Sequence, residues 1–246
     1  MIDVVVWKWR KPGYRSTFDA SAVNVAFSMF SRQLRIPHRF TCITDDASGI
    51  DPRVRVIPIA SLPSYRYMSV PNPSSPVNPS CYVRLFIFSE EAREVIGERI
   101  VSCDLDVVLT DDVTPLFDRD DDFVIWGGQT AQPRSATVYN WYNGSLMMVR
   151  AGARKEVWER FDPRTSPAVA NANGCRGSDQ GWIAYCLGRK ERVWGCADGV
   201  YSYRNHVLPA GGRLPKGARI VVFHGVHDPW HQDVQARHPW VREHYR

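Results

Sequence analysis

The sequence predicts an α/β fold with a mostly parallel, mixed central sheet flanked by helices. Three observations predict it. A β-branched run at residues 4–7 begins almost at the N-terminus and reads as a buried strand. Residues 20–34 carry Val23, Val25, Ala26, Met29, Phe30 and Leu34 at helical spacing, an apolar stripe that needs a sheet to cover. Two more apolar runs follow, at 39–44 and 54–59, so strand, helix, strand, strand opens the chain as it does in parallel sheets.

The remaining elements extend the pattern. A helix is predicted over residues 81–96, then a strand over 100–103. Strands at 123–126 and 144–149, helices at 153–161 and 179–187, and a last strand at 220–223 complete the order, with a loop over 162–178. The segment SVPNPSSPVNPS at 69–80 holds four prolines and four serines, which excludes a helix or a central strand. A loop of that length in a compact domain is functional or disordered, and a lid or acceptor wall is the expectation. The linkers do not divide the chain, so residues 1–246 are expected to form a single domain, with 231–246 as a C-terminal tail that reads as a solvated terminal helix.

Composition narrows the function. The chain of 246 residues is 44% hydrophobic, enough for a core, with nine Trp that are expected mostly to fill it. A net charge of +5 without any Lys/Arg block argues against a specific nucleic-acid partner. It suits an anionic small molecule or a weak membrane-surface contact. Six cysteines without a CxxC pair exclude a zinc ribbon and read as buried free thiols of a reducing compartment. No apolar stretch has transmembrane length and no signal peptide is visible, so cytoplasmic location is expected.

CDLDVVLTDD at 103–112 places Asp104 and Asp106 at the end of an apolar run, where charge is costly without a partner. The carboxyl edge of an open α/β sheet is where ligands bind. Two carboxylates there suit Mn²⁺ or Mg²⁺, which bridge to diphosphate oxygens; the plain alternative is a cap and an exposed Asp. Val108 and Leu109 exclude an EF-hand. A DxDx[TV] phosphatase of haloacid-dehalogenase type, with Asp104 as nucleophile, and a nucleotide-sugar site both remain open. Asp111 and Asp112 read as the turn before Pro115.

Other polar residues sit at element boundaries. His224 follows a strand directly, and Gly225 lets backbone approach a ligand. Imidazole with two carboxylates suits Mn²⁺, whereas His227 and His231 read as ordinary loop histidines. Asn143-Gly144-Ser145 opens a strand, where an Asx-turn is a sufficient account. Ser178 or Asp179 reads as a helix N-cap. Arg84, inside CYVRLFIF, either snorkels or aims its fork at phosphate or sugar oxygens.

Taken in order, YVRL, SCDLDVVLTDDVTPLF, YNGSLMMVRAG, DQGWIAY and VFHGVHDPW resemble glycosyltransferase family 8 and its GT-A-fold relatives, over residues 82–230; TCITDD at 41–46 resembles the family's second strand. The resemblance implies a GT-A, Rossmann-like domain and a metal-dependent transferase using a nucleotide-diphosphate sugar, UDP-linked, with retention favoured. It implies Asp104, Asp106 and His224 as metal ligands. Arg84, Asp104, Asn143, Gly144, Ser145 and Gly225 would meet the donor, with Trp7, Lys8 and Tyr14 near nucleobase and phosphates. Asp179 and Gln180 would stand at the reacting sugar. The sequence departs from the family at three places: Val222 stands where His is usual, Asp228 replaces a Lys, and Asn-Gly-Ser inverts Asn-Ser-Gly. A sugar- or nucleotide-binding module without turnover is therefore the non-enzyme alternative.

Overall fold

The computed structural model describes residues 1–10, 18–75, 80–127 and 141–246. Its strands in chain order are β1 (Ile2–Lys8), β2 (His38–Thr44), β3 (Arg55–Pro58), β4 (Arg99–Cys103), β5 (Val107–Leu109), β6 (Phe123–Trp126), β7 (Asn143–Arg150), β8 (Arg192–Trp194), β9 (Val200–Ser202) and β10 (Ile220–Val222). Seven form one sheet in the order β3-β2-β1-β4-β7-β6-β8, and the other three form a small sheet, β5-β10-β9. β1 to β4 run parallel. β7 is antiparallel to both β4 and β6, and β8 is parallel to β6. The sheet is mixed, as expected.

Alternation along the strands divides the core in two, because successive side chains point to opposite faces. Val4, Val6, Val101, Cys103, Val124, Trp126, Leu146 and Met148 face one cluster. Val5, Trp7, Ile100, Phe123, Ile125, Met147 and Val149 face the other. Both faces are covered, so the central strands read as near-continuous apolar runs rather than as alternating apolar and polar residues.

The helix Ala20–Gln33 covers the first face. Asp19 caps it, with Oδ1 accepting from the Ser21 and Ala22 amides at 2.9 and 3.3 Å. Phe30 packs against Phe40 and Phe117 at ring distances of 5.8 and 6.4 Å. The second face is covered by a 3₁₀ segment, Tyr82–Phe88, and by the helices Glu156–Glu159, Ser166–Ala172 and Asp179–Leu187.

Four expectations require correction. The helix predicted over 81–96 is the 3₁₀ segment Tyr82–Phe88 followed by one turn, Ala92–Val95. All seven residues of that 3₁₀ segment are buried, so no amphipathic stripe held it in α-helical register. The loop at 162–178 contains the helix Ser166–Ala172, started by Pro167 in its first turn. The third strand stops at Pro58, and Ile59–Ser61 is a 3₁₀ turn. Residues 231–246 are not a solvated tail: they form two short helices, Gln232–Arg237 and Pro239–His244, and each buries one valine, Val234 and Val241, completely. Arg32 holds this end by donating to the carbonyls of His244 and Arg246 at 2.8 and 2.6 Å.

All six cysteines are free thiols; Cys42, Cys103 and Cys175 are buried and Cys196 is exposed. No helix among the described residues is long and apolar enough to cross a membrane. Phe30→Ala, which removes a fully buried ring, is expected to cost about 3–5 kcal/mol in urea unfolding with an unchanged m-value.

Candidate active site

The carboxyl ends of β1, β2 and β4 meet at one edge. Lys8 pairs with Thr44, and Cys103, the last residue of β4, pairs with Val6. β1 is flanked by β2 on one side and β4 on the other, so the chain reverses its winding here, where α/β sheets open a crevice. β7 runs the other way, so its first residues reach the same edge. Leu146 pairs with Cys103, and the Asp104 amide donates to the Ser145 carbonyl at 2.9 Å. Asp104 therefore leaves the sheet beside Asn143-Gly144-Ser145. Asn143 Oδ1 accepts from the Ser145 amide at 2.7 Å, the Asx-turn expected of it.

Arg84 does not snorkel. It is 5% exposed, and its fork closes on two carboxylates. Nε and Nη2 donate to Asp179 Oδ2 at 2.8 and 2.7 Å, while Nη1 donates to Asp104 Oδ1. A buried guanidinium needs such partners, because desolvation alone would expel the charge. Burial works against the charge on Arg84, and Asp179, then Asp104, more than offset it, holding the guanidinium protonated. Burial also raises Asp179 above the usual carboxylate range; Arg84 pulls it down and Asp104 pushes it up.

Gly144 makes this convergence possible. A Cβ there would stand 2.9 Å from both Arg84 Nη2 and Asp179 Oδ2. The inverted order at 143–145 thus puts the residue without a side chain against the ion network. Ser178 precedes the helix Asp179–Leu187, yet its side chain does not cap that helix. Its Oγ instead accepts from the Cys81 amide at 2.9 Å and lies 3.2 Å from Asp179 Oδ1. The N-cap expectation is corrected to a cross-chain tie. Gln180 Oε1 accepts from the Gly144 amide at 3.5 Å, which brings Gln180 to the same place.

The other candidates lie around this centre. Lys8 Nζ donates to the Asp46 carbonyl at 2.6 Å and lies 3.3 Å from Thr44 Oγ1. With Arg10, Phe18, Asp19, Ser21 and Ser48 it lines a cavity of 610 Å³. Trp7 turns away into the core, and its indole donates to Ser102 Oγ at 3.0 Å. Alternation along β1 puts Trp7 and Lys8 on opposite faces. Tyr14 lies outside the described residues.

Asp106 is joined to the small sheet, because its carbonyl accepts from the Phe223 amide at 2.8 Å. The chain then passes through His224 to Gly225, whose φ of +98° is a glycine conformation. His224 packs 5.9 Å from Trp126, and its Nε2 lies 2.7 Å from Ser202 Oγ. Ser202 Oγ also accepts from the Asn205 amide at 3.0 Å, which fixes the hydroxyl beside the imidazole.

Asp104 and Asp106 supply hard oxygen donors of the kind Mn²⁺ or Mg²⁺ takes. In this arrangement Asp104 holds Arg84 and His224 holds Ser202. Among the described residues no group of three His, Cys, Asp or Glu side chains gathers to hold an ion. By donor chemistry the two carboxylates suit such an ion, although the described residues do not gather a third ligand around them.

Sequence reasoning missed Ser202, Trp126 and the Cys81–Ser178 tie, all of which depend on contacts across the fold.

Two outcomes follow from this geometry. Arg84→Ala, which leaves Asp179 buried without its counter-charge, is expected to lower stability by about 3–5 kcal/mol in denaturant melts. Arg84→Lys is expected to recover only part, because an ammonium cannot span both carboxylates. In thiol labelling at pH 8, Cys196 is expected to react first. Cys42 and Cys81, both pushed to about 12 by burial, react only on unfolding.

No protein-family profile and no curated protein sequence matches the chain. Solved structures do. The galactosyltransferase LgtC in complex with donor and acceptor sugar analogues superposes with a TM-score of 0.59 at 12% identity, covering 99% of this chain and 96% of that one. The glycosyltransferase GlyE of Streptococcus pneumoniae TIGR4 gives 0.56 at 13% identity, over 98% of this chain and 60% of GlyE. Mouse xyloside xylosyltransferase 1 gives 0.52 at 15%, over 91% and 97%. All three are GT-A-type glycosyltransferases, and the seven-stranded sheet with its flanking helices is the GT-A fold.

Proposed function

We propose that residues 1–246 form one glycosyltransferase domain that moves a sugar from a nucleotide-diphosphate donor, UDP-linked, to an acceptor hydroxyl with retention at the anomeric carbon. One observation carries this reading: the buried Arg84 fork joins Asp104, at the end of β4, to Asp179, at the helix start. Both carboxylates stand at the crevice edge of a GT-A sheet. LgtC, which has this fold, is known in complex with donor and acceptor sugar analogues.

In this reading Arg84 orients Asp104 and Asp179 toward the donor sugar, and Asn143 and Ser145 complete its polar wall. Lys8 and its cavity take the nucleotide end. Gly225 allows backbone to approach the diphosphate. The amide of Gln180 lies beside the reacting carbon. A Mn²⁺ or Mg²⁺ held by Asp104 and Asp106 would supply charge neutralisation to the leaving diphosphate. Ser202, on Nε2, would orient the His224 ring, and Nδ1 is the nitrogen through which His224 would join that set.

Retention is favoured by Asp179. Inversion requires a carboxylate base beside the acceptor. Asp179 is 2% exposed and its Oδ2 is tied twice to Arg84, so it is poorly placed to receive an acceptor proton. The same network weighs against the phosphatase reading, because a nucleophilic Asp104 would have its attack hindered by the guanidinium on Oδ1. A binding module without turnover has one observation in its favour. Asp228 replaces the family's Lys, is 3% exposed and lies 3.4 Å from His231 Nε2, so it offers no cation to a diphosphate.

Incubation with nucleotide sugars and Mn²⁺ is expected to show slow donor hydrolysis that Asp106→Asn lowers by about 10–100-fold. Binding of UDP-sugars without any hydrolysis would establish the module instead, and release of phosphate from simple esters the phosphatase. With an acceptor in hand, proton NMR of the first product formed is expected to show the anomeric configuration of the donor; the opposite anomer would end the case for retention.

A further inference from the structure

The Pro/Ser-rich segment and the turn before Asp179 are joined in a way that the donor reading above does not use. Asn72 is buried, and its Oδ1 accepts from the Ser74 amide at 3.1 Å, an Asx-turn that presents the Ser74 hydroxyl. Ser74 Oγ accepts from the Gly177 amide at 2.9 Å and donates to Asn171 Oδ1 at 3.4 Å. Seven residues beyond Ser74, just past the same segment, the Cys81 amide donates to Ser178 Oγ. Two consecutive residues, Gly177 and Ser178, are thus held from either side of one stretch of chain.

Gly177 is pressed against Gln180. Its φ is +104°, and a Cβ there would stand 2.6 Å from Gln180 Cγ and 2.8 Å from Nε2. The carboxamide therefore lies flat over the glycine, with its oxygen turned to the Gly144 amide and its nitrogen toward Gly177. Gln180 is confined by two glycines, of which Gly144 is fixed in β7. Gly177 has no strand to fix it, and Ser74 supplies that restraint.

We infer that Ser74 and Gly177 are positioning residues that set the orientation of the Gln180 carboxamide. Its kinetic consequence rests on the glycosyl-transfer reading, whereas the orientation itself does not. Ser74→Ala removes the acceptor of the Gly177 amide while leaving a small side chain at a partly exposed site, so the fold is expected to persist. Ser74→Thr keeps the hydroxyl. Gly177→Ala places a methyl group in the space of the carboxamide.

The test uses the full chain and two independent readouts. In ¹⁵N-labelled protein, the Gln180 side-chain NH₂ pair, assigned by its loss in Gln180→Glu, is expected to shift in Ser74→Ala. The Gly177 amide is expected to exchange faster, and Ser74→Thr to restore both. With UDP-glucose or UDP-galactose and Mn²⁺, Ser74→Ala is expected to lower kcat about tenfold with KM for the donor little changed, since small misplacement near a reacting centre acts on the transition state. Unchanged Gln180 and Gly177 signals in Ser74→Ala would overturn the inference, as would a loss confined to KM. If the wild type hydrolyses neither donor, the transfer reading loses that support, and the NMR comparison alone decides the positioning role.

Discussion

A guanidinium enclosed by two carboxylates is the interaction on which the site depends. Arg84 is 5% exposed, and among the described residues its charge is met by Asp179 and Asp104, which make its burial tolerable. The three groups come from distant parts of the chain: a 3₁₀ segment, the turn after β4 and the start of a helix. Each must stop where it does. If β4 ran two residues further, Asp104 would be paired into the sheet. If residues 82–88 were an α-helix, Arg84 would take a different direction from its backbone.

Close approach is the second constraint. Gly144 gives Arg84 and Asp179 room to meet, and Gly177 gives room to Gln180. The carboxylates, the carboxamide and the opening of β7 therefore occupy a space that any side chain at these glycines would fill. Ser178, Ser74 and Cys81 add backbone ties that hold the helix start to the preceding segment. The polar groups of this region are engaged with one another, as groups withdrawn from water must be.

The small sheet brings the late part of the chain to the same edge. Asp106 meets Phe223 through the backbone, and Phe223 stacks on Tyr203 at 4.1 Å. Ser202 lies between two histidines, its amide donating to His206 Nδ1 at 2.9 Å and its hydroxyl engaging His224. The position of His224 is thus set by β9 and β10 together. The C-terminal helices close over this layer through Val234 and Val241.

Apolar runs in the sequence determined most of the large sheet. The β-branched runs of β1, β2, β4, β6 and β7 were legible because both sheet faces are buried, which leaves continuous apolar stretches. The stripe from Val23 to Phe30 marked the first helix for the complementary reason, one face in and one out. The boundary positions of Asp104, Asn143 and Asp179 were legible too, since charged and turn-forming residues end apolar runs. What the sequence could not decide was which of these groups meet. Arg84 reads equally as a snorkelling cation or a ligand-binding fork until Asp179, 95 residues away, is placed against it. Residues 82–88 carry no polar face to set a helical period, so only packing chose the 3₁₀ form. Trp7 and Lys8 are neighbours in sequence, yet the pleat sends one to the core and the other to the crevice. Long-range pairing of charge and the close approach of backbone at glycine are properties of the folded chain, and they are what turned a row of polar boundary residues into one site.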